Sequence, residues 1–537
     1  MRTGMLFFFL SIISLAKAQE IDVLHYIHEI KLNDQNDTIQ VTSEIKFVIK
    51  NKTDFIQLDL AGINQGAKGM KVEDAYLSKE PRQPNATKLF KHENNKLYIP
   101  TLRFNKNDTV CAFIVYKGIP DDGLIISKNK FGDRTFFADN WPNRAHHWIA
   151  CIDKPYDKAS FEFSVITPVR YSVVSNGLKV EEWEDGKGWK LTHWREDIPL
   201  PTKVMVIGVA KFATKVYEDS PKGIPVSAWV YPQDSTKGFY DYAVTTNMLK
   251  FFSDYIGPYP YNKLANVQSK TIFGGMENAS CIFYAESTVT GDRSSEDVFA
   301  HEIAHQWFGD MATEKSFAHL WLSEGFATYF TDIYFEHKYG REAFLKRIKK
   351  ERSDAIAFAK SSTHPVVDTS SDLMSLLNAN SYQKGAWVLH MLRNEVGDST
   401  FHKIIQAYYN AYKGSNADTR DFEAIAEKVS EKELKPFFDQ WLYQPGVPVL
   451  NISWQYKNGR VEILPYGTER KFSYELHTGL LFVYKNRNTE KRSITLHPNG
   501  HIVEVVPSKE KPLRIEIDPD TKLLFAGGNV VEKTSGH

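Results

Sequence analysis

The sequence is poor in cysteine, with three in 537 residues: Cys111, Cys151 and Cys281. At most one bridge can form, so this is no disulfide scaffold. None of the three has CxxC spacing, which argues against a cysteine zinc site. Charge of one sign is also lacking. Lys+Arg and Asp+Glu stand at 66 each, for a formal net charge of zero. No basic excess points to nucleic acid, and no acidic tail points to a basic partner. Internal repeats and low-complexity tracts are absent, and no apolar run reaches membrane-spanning length.

What is present is ordinary globular material in quantity. Hydrophobic residues make up 42% and charged residues 25%, and the length suits three or four domains. Aromatics, at 13%, bury much area per residue and also build clefts. The N-terminus reads MRTGMLFFFLSIISLAKAQE. Arg2, the apolar run Met5 to Leu15 and the small-x-small Ala16-Lys17-Ala18 form a secretory leader, residues 1–18. The mature chain is therefore expected to be exported, periplasmic or secreted.

Residues 19–212 alternate apolar and polar positions, as in TIQVTSEIKFVIKN, and read as a large antiparallel β domain. The period changes near Asp241, where DYAVTTNMLKFFSDYIG has helical spacing up to Gly257-Pro258. From 294 to about 440 helical patterns dominate, so 213–449 reads as a mainly helical domain. Residues 450–527 return to short strands of the kind that build a small β-sandwich. The polar stretch 528–537 reads as a loose tail.

The chemistry concentrates in HEIAHQWFGD, residues 301–310. On a helix His301 and His305 stand at i and i+4, so both imidazoles share one face and can grip one metal ion. Ser294 and Asp297 offer an N-cap signature, and Gly309 can end the helix. Glu302, beside His301, suits a general base acting on water at the metal. Two ordinary histidines on an ordinary helix are the competing reading. A third ligand is needed for a His2Glu site. In LWLSEGFATYFTDIYF, residues 320–335, Glu324 sits among Leu, Gly, Phe and Ala, where a carboxylate is costly to bury unpaired. It follows His305 with eighteen residues between, enough for a loop and an antiparallel return. Upstream, TIFGGMENAS (271–280) ends an apolar stretch with two glycines and the lone Glu277. That carboxylate is either solvated and idle or faces a cation.

HExxH, eighteen residues, a glutamate and an upstream GGMEN together resemble the M1 family of zinc aminopeptidases, the gluzincins. HQWFGD, LWLSEGFATYF, YQKGAWVLHML (382–392) and WLYQPGVPVL carry the resemblance over most of the mature chain. It implies an α+β multidomain fold: an N-terminal antiparallel β saddle, a thermolysin-like catalytic domain and a small C-terminal β-sandwich. It implies one Zn²⁺ per chain on His301, His305 and Glu324, with Glu302 as base. It implies a zinc-dependent metallo-exopeptidase, with peptides bearing free N-termini as substrates. Glu277 would pair with the substrate α-ammonium, within a site formed by Gly274, Gly275, Met276, Glu277 and Asn278. The two glycines would let the extended substrate run alongside the strand. Tyr382, before a Lys-Gly pair, would donate to the oxyanion.

Two departures from the family pattern stand out. Many members place a second Gln or Glu at the amine site; gapless matching on Cys151-Ile152-Asp153 and Pro155 puts Trp141 there. Asp139, two positions earlier, is the alternative candidate, and a solvated loop acid is its other reading. Many members also carry a helical domain that roofs the active site. This sequence ends at His537 with no residues for it, so a more open cleft is expected. His146-His147 read as stacked or solvated histidines rather than a second metal site. Against the aminopeptidase stand another zinc hydrolase on the same scaffold (an endopeptidase or epoxide hydrolase) and a catalytically silent binding protein.

Overall fold

The computed structural model describes residues 20–79, 89–465, 475–485, 487–496 and 504–533. The expected leader lies outside the described residues.

Strict alternation makes the first sheet. In Ile39–Ile49 every second side chain is buried, from Ile39 through Val41, Ile45 and Phe47 to Ile49, the period-2 pattern of a strand with one face on a core. Seven strands pair in the order Leu178–Glu184, Trp189–Pro201, Lys158–Pro168, Ile21–Lys31, Ile39–Ile49, Thr109–Ile119, Gly69–Ser78. The expected all-antiparallel arrangement fails at one place: Ile21–Lys31 runs parallel to Lys158–Pro168, with Tyr26 opposite Phe161. These two strands are joined by more than a hundred residues of intervening sheet rather than by a hairpin, which leaves a parallel pairing open to them. A four-stranded sheet (Leu124–Lys128, Arg134–Ala138, Ser172–Ser175, Ile207–Ala210) packs in the same N-terminal half.

From Ala213 a second architecture begins. Five strands order as Ala213–Val216, Val226–Val230, Leu264–Ser269, Cys281–Ala285, Gly275–Met276. Leu264–Ser269 is buried at all six positions, as a central strand covered on both faces must be. Gly275–Met276 is the short edge strand. The helical run expected to continue from Asp241 splits instead into α1 (Ser235–Tyr242) and α2 (Thr245–Tyr255). Around and after this sheet lie α3 (Glu296–His305), α4 (Trp321–Tyr339), α5 (Arg341–Ala359), α6 (Gly385–Val396), α7 (Asp398–Tyr412), α8 (Thr419–Ser430) and α9 (Lys435–Leu442). The first fourteen residues of α4, Trp321 to Tyr334, are all buried, so this helix is the spine of the helical domain.

Beyond Val449 two further sheets form, one of four strands and one of three. The stretch expected to be a loose tail is partly ordered. Residues 526–532 form a strand parallel to Val449–Lys457, with Val530 opposite Ile452, because alternating apolar positions there can still complete a ladder. The three cysteines are buried and unpaired.

Candidate active site

Helix α3 starts at Glu296 with Ser295 at its N-cap and no side-chain capping bond. Asp297 falls inside the first turn rather than at the cap, where its charge complements the helix dipole. One turn on, His301 and His305 present their rings on one face, edge to face with centroids 4.7 Å apart. Glu324, in the first turn of α4, meets them. The three ligand atoms lie close together: His305 Nε2 is 3.1 Å from His301 Nε2, and Glu324 Oε2 is 3.2 Å from each. These separations are close to the edges of a tetrahedral site with bonds of about 2.0–2.2 Å. His305 Nδ1 lies 3.1 Å from the Phe308 carbonyl and from Ser323 Oγ. A proton on Nδ1 donated to that carbonyl leaves Nε2 as a lone-pair donor. Two imidazole nitrogens and a carboxylate, aimed at one point with His305 and Glu324 buried and His301 half-buried, fit a zinc ion.

The electrostatics fit a cation as well. Glu277, Glu302 and Asp310 are all pushed above their ordinary range, first by burial. Burial alone would raise Glu324, but His305 and His301 outweigh it and hold that carboxyl below the usual carboxylate range. Burial alone would lower His305, yet Glu324, Glu277 and Glu302 overcome it and raise the imidazole to about 10. So much buried negative charge is stable only beside positive charge.

The edge strand Gly275–Met276 pairs with Cys281–Ala285, Gly275 opposite Tyr284, and leads into Glu277. Gly275 has a reason beyond the one expected of it. A Cβ there would fall within 2.5 Å of Glu302 Cδ and Cγ, whereas at Gly274 a Cβ would meet nothing within 4 Å. Gly275 is the cradle of the Glu302 side chain. Among the described residues the other edge of this strand has no partner strand, which leaves room there for an extended peptide. Glu277 is 4% exposed and its Oε1 has no hydrogen-bond partner among the described residues.

Tyr382 lies on a π-helical turn, Asn380–Lys384, the kind of local distortion that recurs at functional sites. Its ring stacks on His301 at 13° with centroids 5.9 Å apart. Burial lifts its hydroxyl well above the ordinary tyrosine range, so it stays protonated and can donate.

A cavity of ≈ 450 Å³ joins these groups and is lined by every expected site residue except Asn278 and Asp139. Asn278 is fully buried behind it, its carbonyl accepting from Cys281 N at 2.9 Å. Asp139 is not a solvated loop acid, nor does it face the cavity. Arg144 donates to its Oδ1 at 2.7 Å, and the Thr271 hydroxyl and Ile272 N–H donate to its Oδ2 at 3.0 Å. Its carboxylate pins the segment that leads into Gly274. Trp141 is the residue of that stretch that lines the cavity. His146 and His147 each face their own carboxylate, Asp153 and Asp121, at 2.7 Å, and belong to no metal cluster among the described residues.

Two residues of the site were not singled out from the sequence, although Gln306 stands inside HQWFGD. Gln306 Nε2 donates to the Glu277 carbonyl (2.6 Å) and to Asp310 (3.0 Å), while its Oε1 accepts from Ser280 N (2.7 Å). It ties α3 to the loop that carries Glu277. Lys203, from the N-terminal half, is buried in an ion pair with Glu314 at 2.6 Å. Burial alone would lower it, but Glu314 and Glu277 hold it above its ordinary value. Lys203 therefore supplies positive charge behind the loop.

The Peptidase family M1 domain matches residues 240–441 and the Peptidase M1 N-terminal domain residues 23–204. A glutamyl aminopeptidase of Rattus norvegicus is 32% identical over 333 residues, 59% of this chain and 35% of the relative. A probable aminopeptidase 2 of Sulfurisphaera tokodaii is 29% identical over 451 residues, 81% of this chain and 55% of the relative. A glutamyl aminopeptidase of Bos taurus is 31% identical over 334 residues, 59% and 34% respectively. The chain spans from about a third to just over half the length of these relatives.

Proposed function

The chain belongs to peptidase family M1, and on that premise we propose that it is an exported zinc metalloaminopeptidase that removes the first residue from peptides with a free N-terminus. The observation that carries the proposal is the convergence of His301, His305 and Glu324 on a cavity that also holds Glu277 and Tyr382. His301, His305 and Glu324 would hold the ion, which would supply a Lewis acid that makes a water acidic enough to lose a proton near neutral pH. Glu302, seated against Gly275, takes that proton and later gives it to the leaving amine nitrogen. Tyr382 donates its hydroxyl hydrogen bond to the carbonyl oxygen as charge develops there. Glu277 pairs with the α-ammonium and so sets the cut one residue from the end. The open edge of Gly275–Met276 holds the peptide backbone in register. The leader-like first eighteen residues support export, to the periplasm or beyond the cell.

The test uses matched peptides with free and acetylated N-termini, with and without chelator. Single residues should be released from free ends only, and chelator should abolish the release. Internal cuts would overturn the exopeptidase reading, and inertness of zinc-loaded protein would overturn catalysis altogether. Glu302→Gln is expected to retain stoichiometric zinc by elemental analysis while kcat falls by about 10²–10⁴-fold.

A further inference from the structure

Lys384 is 1% exposed, and its ammonium donates to two backbone carbonyls, Gly446 at 2.9 Å and Gln444 at 3.2 Å. Among the described residues no carboxylate opposes its burial, which lowers it from its ordinary value to about 7. A buried ammonium without a counter-ion is costly, and an apolar side chain of similar length avoids that cost. What Lys384 gains lies in the two carbonyls it holds. Both belong to the loop between α9 and the strand Val449–Lys457, where the chain leaves the helical domain. Gly446 stands there at φ 85°, in the left-handed region that favours glycine.

Lys384 is also the last residue of the π-helical turn Asn380–Lys384, and its N–H donates to the Ala379 carbonyl at 2.8 Å. Such a turn is rare, and it persists where its surroundings hold it. The leading end is tied twice: Asn380 Nδ2 donates to the His364 carbonyl at 2.9 Å, and Ser381 Oγ to the Leu376 carbonyl at 2.8 Å. The trailing end is tied by Lys384. Residues two apart on a helical turn point to nearly opposite sides. Tyr382 therefore faces the cavity while Lys384 reaches back to the 444–446 loop. We infer that Lys384 is a positioning residue for the reaction: by clamping the π-turn to this loop, it fixes the Tyr382 hydroxyl where the oxyanion forms. The inference rests on the aminopeptidase reading and deepens it, because the exit loop of the helical domain becomes part of what aims the oxyanion donor.

The experiment is a double-mutant cycle on the zinc-loaded protein. Its substrate is whichever of the leucyl, alanyl, glutamyl and arginyl 7-amido-4-methylcoumarins the wild type cleaves fastest. Lys384→Met should lower kcat by about 10–10²-fold, the scale of a donor misplaced by about 1 Å, with KM and zinc content held. Tyr382→Phe should lower kcat by about 10²–10³-fold. The double variant should be slower than Tyr382→Phe by no more than about twofold, because without the hydroxyl nothing is left to aim. A lysine that only holds the fold together would lower kcat by the same factor on both backgrounds. Gly446→Ala strains the loop from the other side of the clamp. It should give the same pattern with and without Tyr382→Phe, and it decides the matter if Lys384→Met does not fold. An unmoved kcat, equal factors on the two backgrounds, or loss of zinc overturns the inference and leaves the aminopeptidase reading intact. Release from none of the four amides by wild type overturns that reading and this inference with it.

Discussion

At Gly275 the hydrogen atom that stands in place of a side chain leaves the volume that the Glu302 carboxylate occupies. An added methyl group would overlap Glu302 Cδ and Cγ at 2.5 Å, and neither the strand nor the helix carrying Glu302 can retreat without breaking a ladder or a turn. Gly275→Ala is therefore expected to displace the base and lower kcat by about 10²-fold, the scale of a 1 Å misplacement. Gly274→Ala meets open space and should cost far less. Steady-state kinetics on the pair check this; equal losses would show that the glycines serve backbone freedom rather than room for Glu302. Glu277→Ala removes the carboxylate proposed to hold the ammonium. It should raise KM for free N-termini by about 10²-fold, the worth of a charge-assisted pair of a few kcal/mol, and unchanged kinetics would remove that role.

At the scale of elements, the site depends on how closely α4 and α6 cross. A Cβ on Gly325 would lie 2.9 Å from Gly385 Cα and C. Two small residues thus bring the turn carrying Tyr382 against the helix carrying Glu324. Gly325→Ala should overpack this crossing at a cost of about 1–3 kcal/mol, lowering the melting temperature. Because the ligands stay on α3 and the start of α4 while the Tyr382 turn is pushed away, zinc content should hold and kcat should fall. Loss of zinc together with activity would place the strain on Glu324 instead. This crossing also shows what was legible in the sequence. The i,i+4 histidines and a glutamate stranded in an apolar helix could be read directly, because each is a local anomaly that only a shared ligand resolves. The alternating N-terminal strands were equally plain. Asp139 could not be placed, since its partners Thr271 and Ile272 lie more than 130 residues away in the chain. Gln306 and Lys203 went unassigned for the same reason: Glu277 and Ser280 are brought to Gln306, and Glu314 to Lys203, only by tertiary structure. The parallel pairing of Ile21–Lys31 with Lys158–Pro168 has no local signature either.

At the scale of the whole molecule, the N-terminal sheet and the helical domain are joined through two lysines, Lys203 buried and Lys158 half-buried. Lys203 reaches Glu314. Lys158, the first residue of Lys158–Pro168, donates to the carbonyls of Met311 (2.8 Å) and Asp310 (3.2 Å) just past α3. Burial, with the repulsion of Lys203, lowers the Lys158 ammonium from its ordinary value to about 7, although Glu314 and Asp310 pull the other way. The sign of the pH effect follows. In the unfolded chain this lysine titrates near its usual value of about 10.4. Between about 7 and 10.4 the unfolded state holds a proton that the folded state has released, so stability from this group rises with pH. The slope is about 1.4 kcal/mol per pH unit for one lysine. Below pH 7 both states are charged and the cost of the buried ammonium is constant. Lys158→Met abolishes the titration while keeping the length of the side chain. Comparing thermal unfolding of the two proteins at pH 7, 8, 9 and 10 cancels every other titrating group they share. Wild type should gain on the variant steadily as pH rises through that window. A difference independent of pH would mean that Lys158 keeps its charge in the folded protein, and that the contact between the two domains is an ionic one throughout.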